Sequence, residues 1–312
     1  MVINYLSKIK NTPRDNTLYL IEKLPSGTGL FASNGNVLYL VSNQERCASM
    51  SIKTEFLHLE TNIFVTAFNS SYPSFADGYY NSVELHLSDS NESETNLNAF
   101  INLCLAHASY MKGHEFISFF DSLVSLFQLP KEQHFKNLIG LMGELLLIES
   151  AFKNYGKDLS SYWHTEGPSS RMDFVCPFAN IEVKTTTDDS LRFIIKHDQL
   201  FVNSERNYLA TVVLEENNSG RTLEELISEL LGSPDFCNSF SFSVNIEKEK
   251  RRISPTEIKS KRFILKKINM YPANDINPFD TIPDHVGGLT YMLDVLPFKS
   301  ISLSNILLVS DR

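Results

Sequence analysis

The chain has 312 residues, of which 42% are hydrophobic and 21% charged, with a formal net charge of −9. Such a chain buries a sizeable core in two or three structural units, and its acidic balance excludes a generally basic, histone-like coater of nucleic acid. No apolar run reaches the roughly 18–20 residues that cross a bilayer, and MVINYLSKIKNTPRDN lacks the apolar stretch of a signal peptide, so a cytoplasmic, non-membrane address is expected. Cys47, Cys104, Cys176 and Cys237 are scattered without CxxC spacing, and the eight histidines show no HExxH, so no structural zinc is expected.

In chain order, 17–24, 36–43, 51–68 and 82–89 are apolar or alternating segments separated by Gly, Asn, Ser and Asp, which predicts an antiparallel β region. The spacing becomes helical at 91–111 and 114–129, Pro130 interrupts it, and a third helix is predicted over 131–154. A loop from Trp163 then leads to a strand (RMDFV, 171–175), a turn (CPFAN) and a second strand (IEVKTTT, 181–187). A further strand at 208–216 and an amphipathic helix at 221–231 complete an α/β core. The segments 262–272, 289–295 and 305–310 look β-like. The expected organisation is a β-rich region 1–125 ending in helices, a core 126–235, and a basic segment with C-terminal strands, 236–312, that could complete the N-terminal unit.

The chemistry gathers in the predicted strand pair. Glu182 and Lys184 are two residues apart, so a strand projects both from one face while Ile181 and Val183 turn to the core. A turn centred on Pro177 and Phe178 sets Asp173 opposite Glu182, or at worst a diagonal neighbour within about 8 Å. Facing carboxylates repel unless something positive lies between them, and a divalent cation fills that role with Lys184 adding a second charge. Oxygen ligands of this kind suit Mg²⁺ or Mn²⁺. Asp173 and Glu182 would hold the ion with the carbonyl of Val183, and Lys184 would orient or deprotonate a water. Glu144 lies in an otherwise apolar helix, NLIGLMGELLLIESAF, where a carboxylate is costly without a partner or a metal. It is the third acid, and Gly140 and Gly143 leave room for close backbone approach. A lone E-x-K carries little weight, since chance supplies about one in a chain this long. Glu257 and Lys259 form such a second copy, in a charged stretch with no facing Asp-bearing strand. The combination of Glu144, Asp173, Glu182 and Lys184, in the order helix, strand, strand, is what makes the site specific.

GLMGELLLIE, Trp163 with GPSSRMDFV, and IEVKTTT resemble the PD-(D/E)XK nuclease superfamily, also called restriction endonuclease-like. More narrowly they are similar to a bacterial family known as PD-(D/E)XK motif protein, most strongly over 137–200, and the tail IPDHVGGLTYMLDV is similar to that family's C-terminal segment. The resemblance implies an α/β fold with a mixed central sheet flanked by helices, and Mg²⁺-dependent hydrolysis of phosphodiesters. It also implies a place in restriction or anti-phage defence, with partner proteins and a homodimer as further expectations. Its motif positions fall on Glu144, Asp173, Glu182 and Lys184; Asp173 is preceded by Met172 instead of proline. His197 and Gln199 in LRFIIKHDQL resemble the family's segment after the lysine and are candidates for contact with a scissile phosphate, as are Arg171 and Arg192. Trp163 reads as a core or loop anchor. Lys248, Lys250, Arg251, Arg252, Lys259, Lys261, Arg262, Lys266 and Lys267 stand against Glu249 and Glu257 alone within 248–267, and this run is the candidate surface for tracking double-stranded DNA. The expected activity is endonucleolytic cleavage of DNA. The rival readings are a non-cleaving nucleic-acid-binding subunit of a defence complex and an RNase or repair nuclease on the same scaffold.

Overall fold

A computed structural model describes residues 5–15, 17–43, 48–66, 75–87, 92–110, 116–128, 135–164, 172–201, 206–233, 239–279, 285 and 288–308. The chain divides into two compact units, Met1–Pro130 and Lys131–Arg312.

The first unit begins with helix α1 (Tyr5–Lys10) and a six-stranded antiparallel sheet of β1 (Tyr19–Leu24), β2 (Thr28–Ser33), β3 (Asn36–Ser42), β4 (Ser51–Lys53), β5 (Leu57–Val65) and β6 (Gly78–Leu85). The spatial order is β1-β2-β3-β6-β5-β4. Helices α2 (Glu92–Tyr110) and α3 (Phe116–Phe127) follow. The strand β2 has no counterpart in the sequence reading, because its first five residues are all buried and leave no alternation to detect. The single segment expected over 51–68 is instead the hairpin β4–β5 within its described part.

The second unit is built on a four-stranded sheet. Its strands are β7 (Phe174–Val175), β8 (Asn180–Thr186), β10 (Asn207–Thr222) and β11 (Arg262–Pro272), in the order β11-β10-β8-β7. The strands β8 and β10 run parallel, whereas β7–β8 and β10–β11 are antiparallel, so the sheet is mixed. One face is covered by α4 (Phe135–Tyr155), α6 (Leu223–Gly232), α7 (Phe240–Lys250), α8 (Pro255–Ser260) and α10 (Leu303–Leu307), which share one apolar core with Ile181, Val183, Ala210, Val212 and Leu214. The other face is covered by the antiparallel pair β9 (Arg192–Lys196) and β12 (Thr290–Asp294), with α5 (His197–Leu200) and α9 (Ala273–Ile276).

The segment 236–312, expected from the sequence to be able to complete the N-terminal unit, falls within the second compact unit through its described parts. The strand β11 pairs with β10 along nearly its whole length, from Tyr208↔Pro272 to Thr222↔Arg262. The apolar run at 305–310 is a helix where described, not a strand. Ser302 caps α10 by accepting the Ser304 N–H at 3.1 Å, and the side-chain oxygen settles an apolar run too short to betray its own period.

Candidate active site

The strand β8 sorts its residues by alternation. Ile181 and Val183 enter the core beneath α4, and Glu182 and Lys184 leave on the opposite side, with Lys184 Nζ donating to Glu182 Oε1 at 2.5 Å. In the β7–β8 hairpin Phe174 pairs with Ile181 and Val175 with Asn180, the turn being closed by the Cys176 N–H to the Ala179 carbonyl at 2.8 Å. One step further along this register Asp173 comes opposite Glu182. Here the ladder ends, because the Val183 N–H donates to the Asp173 side chain, Oδ2, at 2.7 Å. A carboxylate thus replaces the next backbone acceptor and is fixed at the sheet edge.

Glu144 reaches the same place from α4. A Cβ at Gly143 would stand 1.9 Å from Thr185 Oγ1 and 2.9 Å from Thr185 Cβ, so helix and strand approach this closely only because residue 143 has no side chain. Gly140 faces open space and contributes nothing to the approach. Glu144 Oε2 accepts from Trp163 Nε1 at 2.7 Å and lies 3.0 Å from His164 Nε2. Trp163 is itself in the core, packed against Phe242, with its carbonyl held by Asn245 Nδ2 at 3.1 Å. Trp163 pairs with Phe174 in an antiparallel bridge and the His164 N–H donates to the Asp173 carbonyl at 3.0 Å, which lays His164 beside Asp173 on the edge of β7.

The electrostatics follow from this crowding. The Asp173 carboxyl is pushed well above its ordinary range, first by burial and then by the charges of Glu144 and Glu182, against the pull of the Val183 N–H and Lys184. Glu182, only 2% exposed, is also raised by burial, with Lys184 opposing. His164 is raised despite its burial, because Glu144 accepts from it and Glu144 and Glu249 lie near it. Three acids therefore press on one another with one lysine and one imidazole beside them.

The donor set fits a divalent cation. One ligand atom each from Glu144, His164 and Asp173 lies within 4.8 Å of the others. Glu182 is outside that close trio, its Oε1 bonded to Lys184 and its Oε2 accepting from Gln199 Nε2 at 2.6 Å. Val183 presents its N–H to Asp173.

Of the other sequence-predicted positions, Gln199 is brought to the site by its bond to Glu182. His197, another candidate for contact with a scissile phosphate, is enclosed among aromatic rings. It is buried, its Nδ1 is 3.2 Å from Tyr291 Oη, and its ring packs among Phe201, Phe279 and Tyr291. Arg192 pairs with Asp294 at 3.1 Å, and Arg171 lies outside the described residues. The basic run is not the bare cationic strip its local composition implies. Lys250 pairs with Glu247, Arg252 with Glu249, Lys259 with Glu224, Lys261 with Glu216, Arg262 with Glu225 and Lys266 with Glu215. Four of these acids come from β10 and α6, far away in sequence, so counting charges within 248–267 understated the negative side. Arg251 is half-buried at the end of α7.

Sequence reasoning missed His164, Asn245 and Glu249. A histidine next to the single tryptophan was the available signal for the first; the other two lie on α7, which was read only as a charged stretch.

A mixed sheet flanked by helices, with an acid-and-lysine cluster on an antiparallel strand pair and a glutamate from the packed helix, defines a protein of the PD-(D/E)XK type. A family model described as "Putative PD-(D/E)XK family member, (DUF4420)" matches residues 76–295, and the chain belongs to that family. No curated protein and no solved structure matches the chain. Among the described residues no helix is long and apolar enough to cross a membrane.

Proposed function

We propose that the protein is a divalent-cation-dependent endonuclease that hydrolyses DNA phosphodiesters on a restriction endonuclease-like core. The observation that carries this reading is the convergence of Asp173, Glu182 and Glu144 beside Lys184, with the Asp173 and Glu182 carboxyls raised by burial and by the neighbouring acids. An arrangement that strains the metal-free protein is what a cation would relieve. Asp173, Glu182, Glu144 and the Val183 carbonyl are the proposed ligands. Mg²⁺ is the proposed cofactor and Mn²⁺ a substitute, and when bound the ion supplies Lewis acidity toward a phosphate oxygen and acidifies water.

The chain's own residues do the rest. Lys184 holds its ammonium on the Glu182 carboxylate, where it orients the attacking water and offsets negative charge as the new P–O bond forms and the old one breaks. Gln199 fixes the other Glu182 oxygen, the Val183 N–H fixes Asp173, and Trp163 fixes Glu144, so each acid is oriented before substrate arrives. Water delivers the hydroxyl to phosphorus, and the departing sugar oxygen leaves with a proton.

Double-stranded DNA as substrate, a restriction or anti-phage role, a cytoplasmic setting, a homodimer and partner proteins belong to the same proposal and rest on the resemblance of the motif segments. Lys259, Lys261 and Arg262 are proposed to meet the backbone by exchanging carboxylate partners for phosphates, exposed ion pairs being weak enough, at about 0–1 kcal/mol, to be exchanged, and Lys250, Arg251 and Arg252 belong to the same proposed surface. The test is incubation of purified protein with plasmid, linear, single-stranded and modified DNA and with RNA, in Mg²⁺, Mn²⁺ or chelator. Metal-dependent DNA cleavage that Asp173→Ala abolishes supports the proposal; DNA binding with no cleavage under any condition favours the binding subunit instead.

A further inference from the structure

We propose that His164 is an imidazole ligand of the cation, joining the carboxylate oxygens of the proposed set beside Glu144 and Asp173, so that the centre is a mixed nitrogen and oxygen set that favours a transition-series ion such as Mn²⁺ over Mg²⁺. The inference rests on the metal-dependent reading above and adds to it a ligand and a metal preference.

The first argument is distance. Two ligands placed about 2.1 Å from one ion, at right angles across it, stand about 3.0 Å apart. His164 Nε2 and Glu144 Oε2 are separated by 3.0 Å, and a ligand atom of Asp173 completes a trio within 4.8 Å. The imidazole and carboxylate thus stand at the spacing of neighbouring ligands of one ion, the ion taking the place of the proton through which they are now hydrogen-bonded.

The second argument is how His164 is held. Its backbone is left-handed, at φ +48°, which a residue with a Cβ rarely adopts. Flanking bonds enforce it: the Trp163↔Phe174 bridge, the His164 N–H on the Asp173 carbonyl, and Asn245 Nδ2 on the Trp163 carbonyl. His164, which supplies the imidazole, is therefore hydrogen-bonded through its backbone N–H to the backbone of Asp173, which supplies a carboxylate, so the two are held together. Trp163 Nε1 donates to the same Glu144 oxygen that faces the imidazole, the kind of outer hydrogen bond that orients a ligating carboxylate.

The third argument is chemical. Glu182, the strand acid of the motif, is already engaged by Lys184 and Gln199 and lies outside the close trio, so His164 joins the proposed carboxylate ligands as the donor nearest Glu144 and Asp173. Carboxylates alone suit Mg²⁺; an added imidazole shifts preference toward transition-series ions, which bind nitrogen better.

The test uses the full-length protein with Mn²⁺ alone as probe and pulsed electron paramagnetic resonance as readout. The expected result is a modulation from a directly coordinated nitrogen, altered when histidine is supplied as the ¹⁵N isotope and lost in His164→Gln. By calorimetry, His164→Gln should weaken Mn²⁺ binding at least about tenfold and Mg²⁺ binding less, so that the preference between the two ions collapses. Mn²⁺ bound without any nitrogen modulation overturns the assignment of His164 and leaves the metal-dependent reading standing. Failure of the wild-type protein to bind Mn²⁺ or Mg²⁺ overturns both. The isotope experiment needs only the wild-type chain, so absence of the modulation overturns the assignment even where the variant does not fold.

Discussion

The chain contains the same short pattern twice, at Glu182–Lys184 and at Glu257–Lys259, and the two copies have opposite fates. On β8 the two-residue spacing matches the pleat, and the side chains meet on one face at 2.5 Å. On α8 the same spacing turns the side chains about 200° apart, and Lys259 pairs across to Glu224 at 3.8 Å instead of with Glu257. The β8 copy is also nearly closed to solvent at Glu182, with Asp173 bonded to the intervening Val183 N–H. Spacing means chemistry only after secondary structure has chosen the period, and burial then converts a surface ion pair into a costly one that a function must justify.

The largest expected effect breaks this comparison at its lysines. Lys184→Ala should lower metal-dependent cleavage by about 10²-fold or more, in line with the loss of one preorganised charge at a reacting phosphate, while Lys259→Ala changes it less than about threefold. Equal losses at both positions would remove the distinction, and initial rates on supercoiled plasmid measure it.

Acid provides a second contrast, between a buried histidine and the acid cluster. His107 in the first unit is buried, its Nδ1 2.9 Å from Tyr39 Oη, and burial pushes its pKa down to about 4. A folded-state value below the unfolded 6.5 means that the unfolded chain takes up the proton first. The stability is present in full above pH 6.5, falls as the pH is lowered from there, and is lost by about 3 kcal/mol once the pH has passed 4. Asp173 and Glu182, raised instead of lowered, have the reverse sign: their charges weigh on the metal-free fold as the pH rises through their folded values, and this cost is absent below the unfolded range. Urea unfolding followed separately in each unit, between pH 4 and 8 without metal, checks both signs. The single tryptophan, Trp163, reports on the second unit.

The two α4 glycines sharpen the packing side. Gly143→Ala places its methyl on Thr185 and should cost about 1–3 kcal/mol while shifting Glu144 from Asp173. Gly140→Ala meets open space and should stabilise the helix by up to about 1 kcal/mol. Thermal melts of the two variants, which should move in opposite directions, decide it.

The sequence made legible what depends on local period. The strand 262–272 matches its expected bounds, α6 carries the expected amphipathic face and a Thr222–Glu225 capping box, and the alternation of β8 orients Glu182 and Lys184. What stayed hidden depends on contacts between distant residues. The partners of Lys261, Arg262 and Lys266 lie 37–51 positions away, so the basic run looked barer than it is. His164 joins Glu144 across twenty positions through the edge of β7, and no helical or strand period marks such a residue. His197 reads from the sequence as a candidate for contact with a scissile phosphate, yet aromatic rings brought in by 279 and 291 bury it.

The most direct measurement of the central claim is calorimetric titration of Mn²⁺ into the wild-type protein and into Asp173→Asn, whose amide oxygen can still accept the Val183 N–H. Saturable binding by the wild type, lost or weakened at least about tenfold in the variant at an unchanged circular dichroism spectrum, is the predicted result. Equal binding by both proteins, or none by the wild type, would contradict the claim that these carboxylates are gathered around a cation.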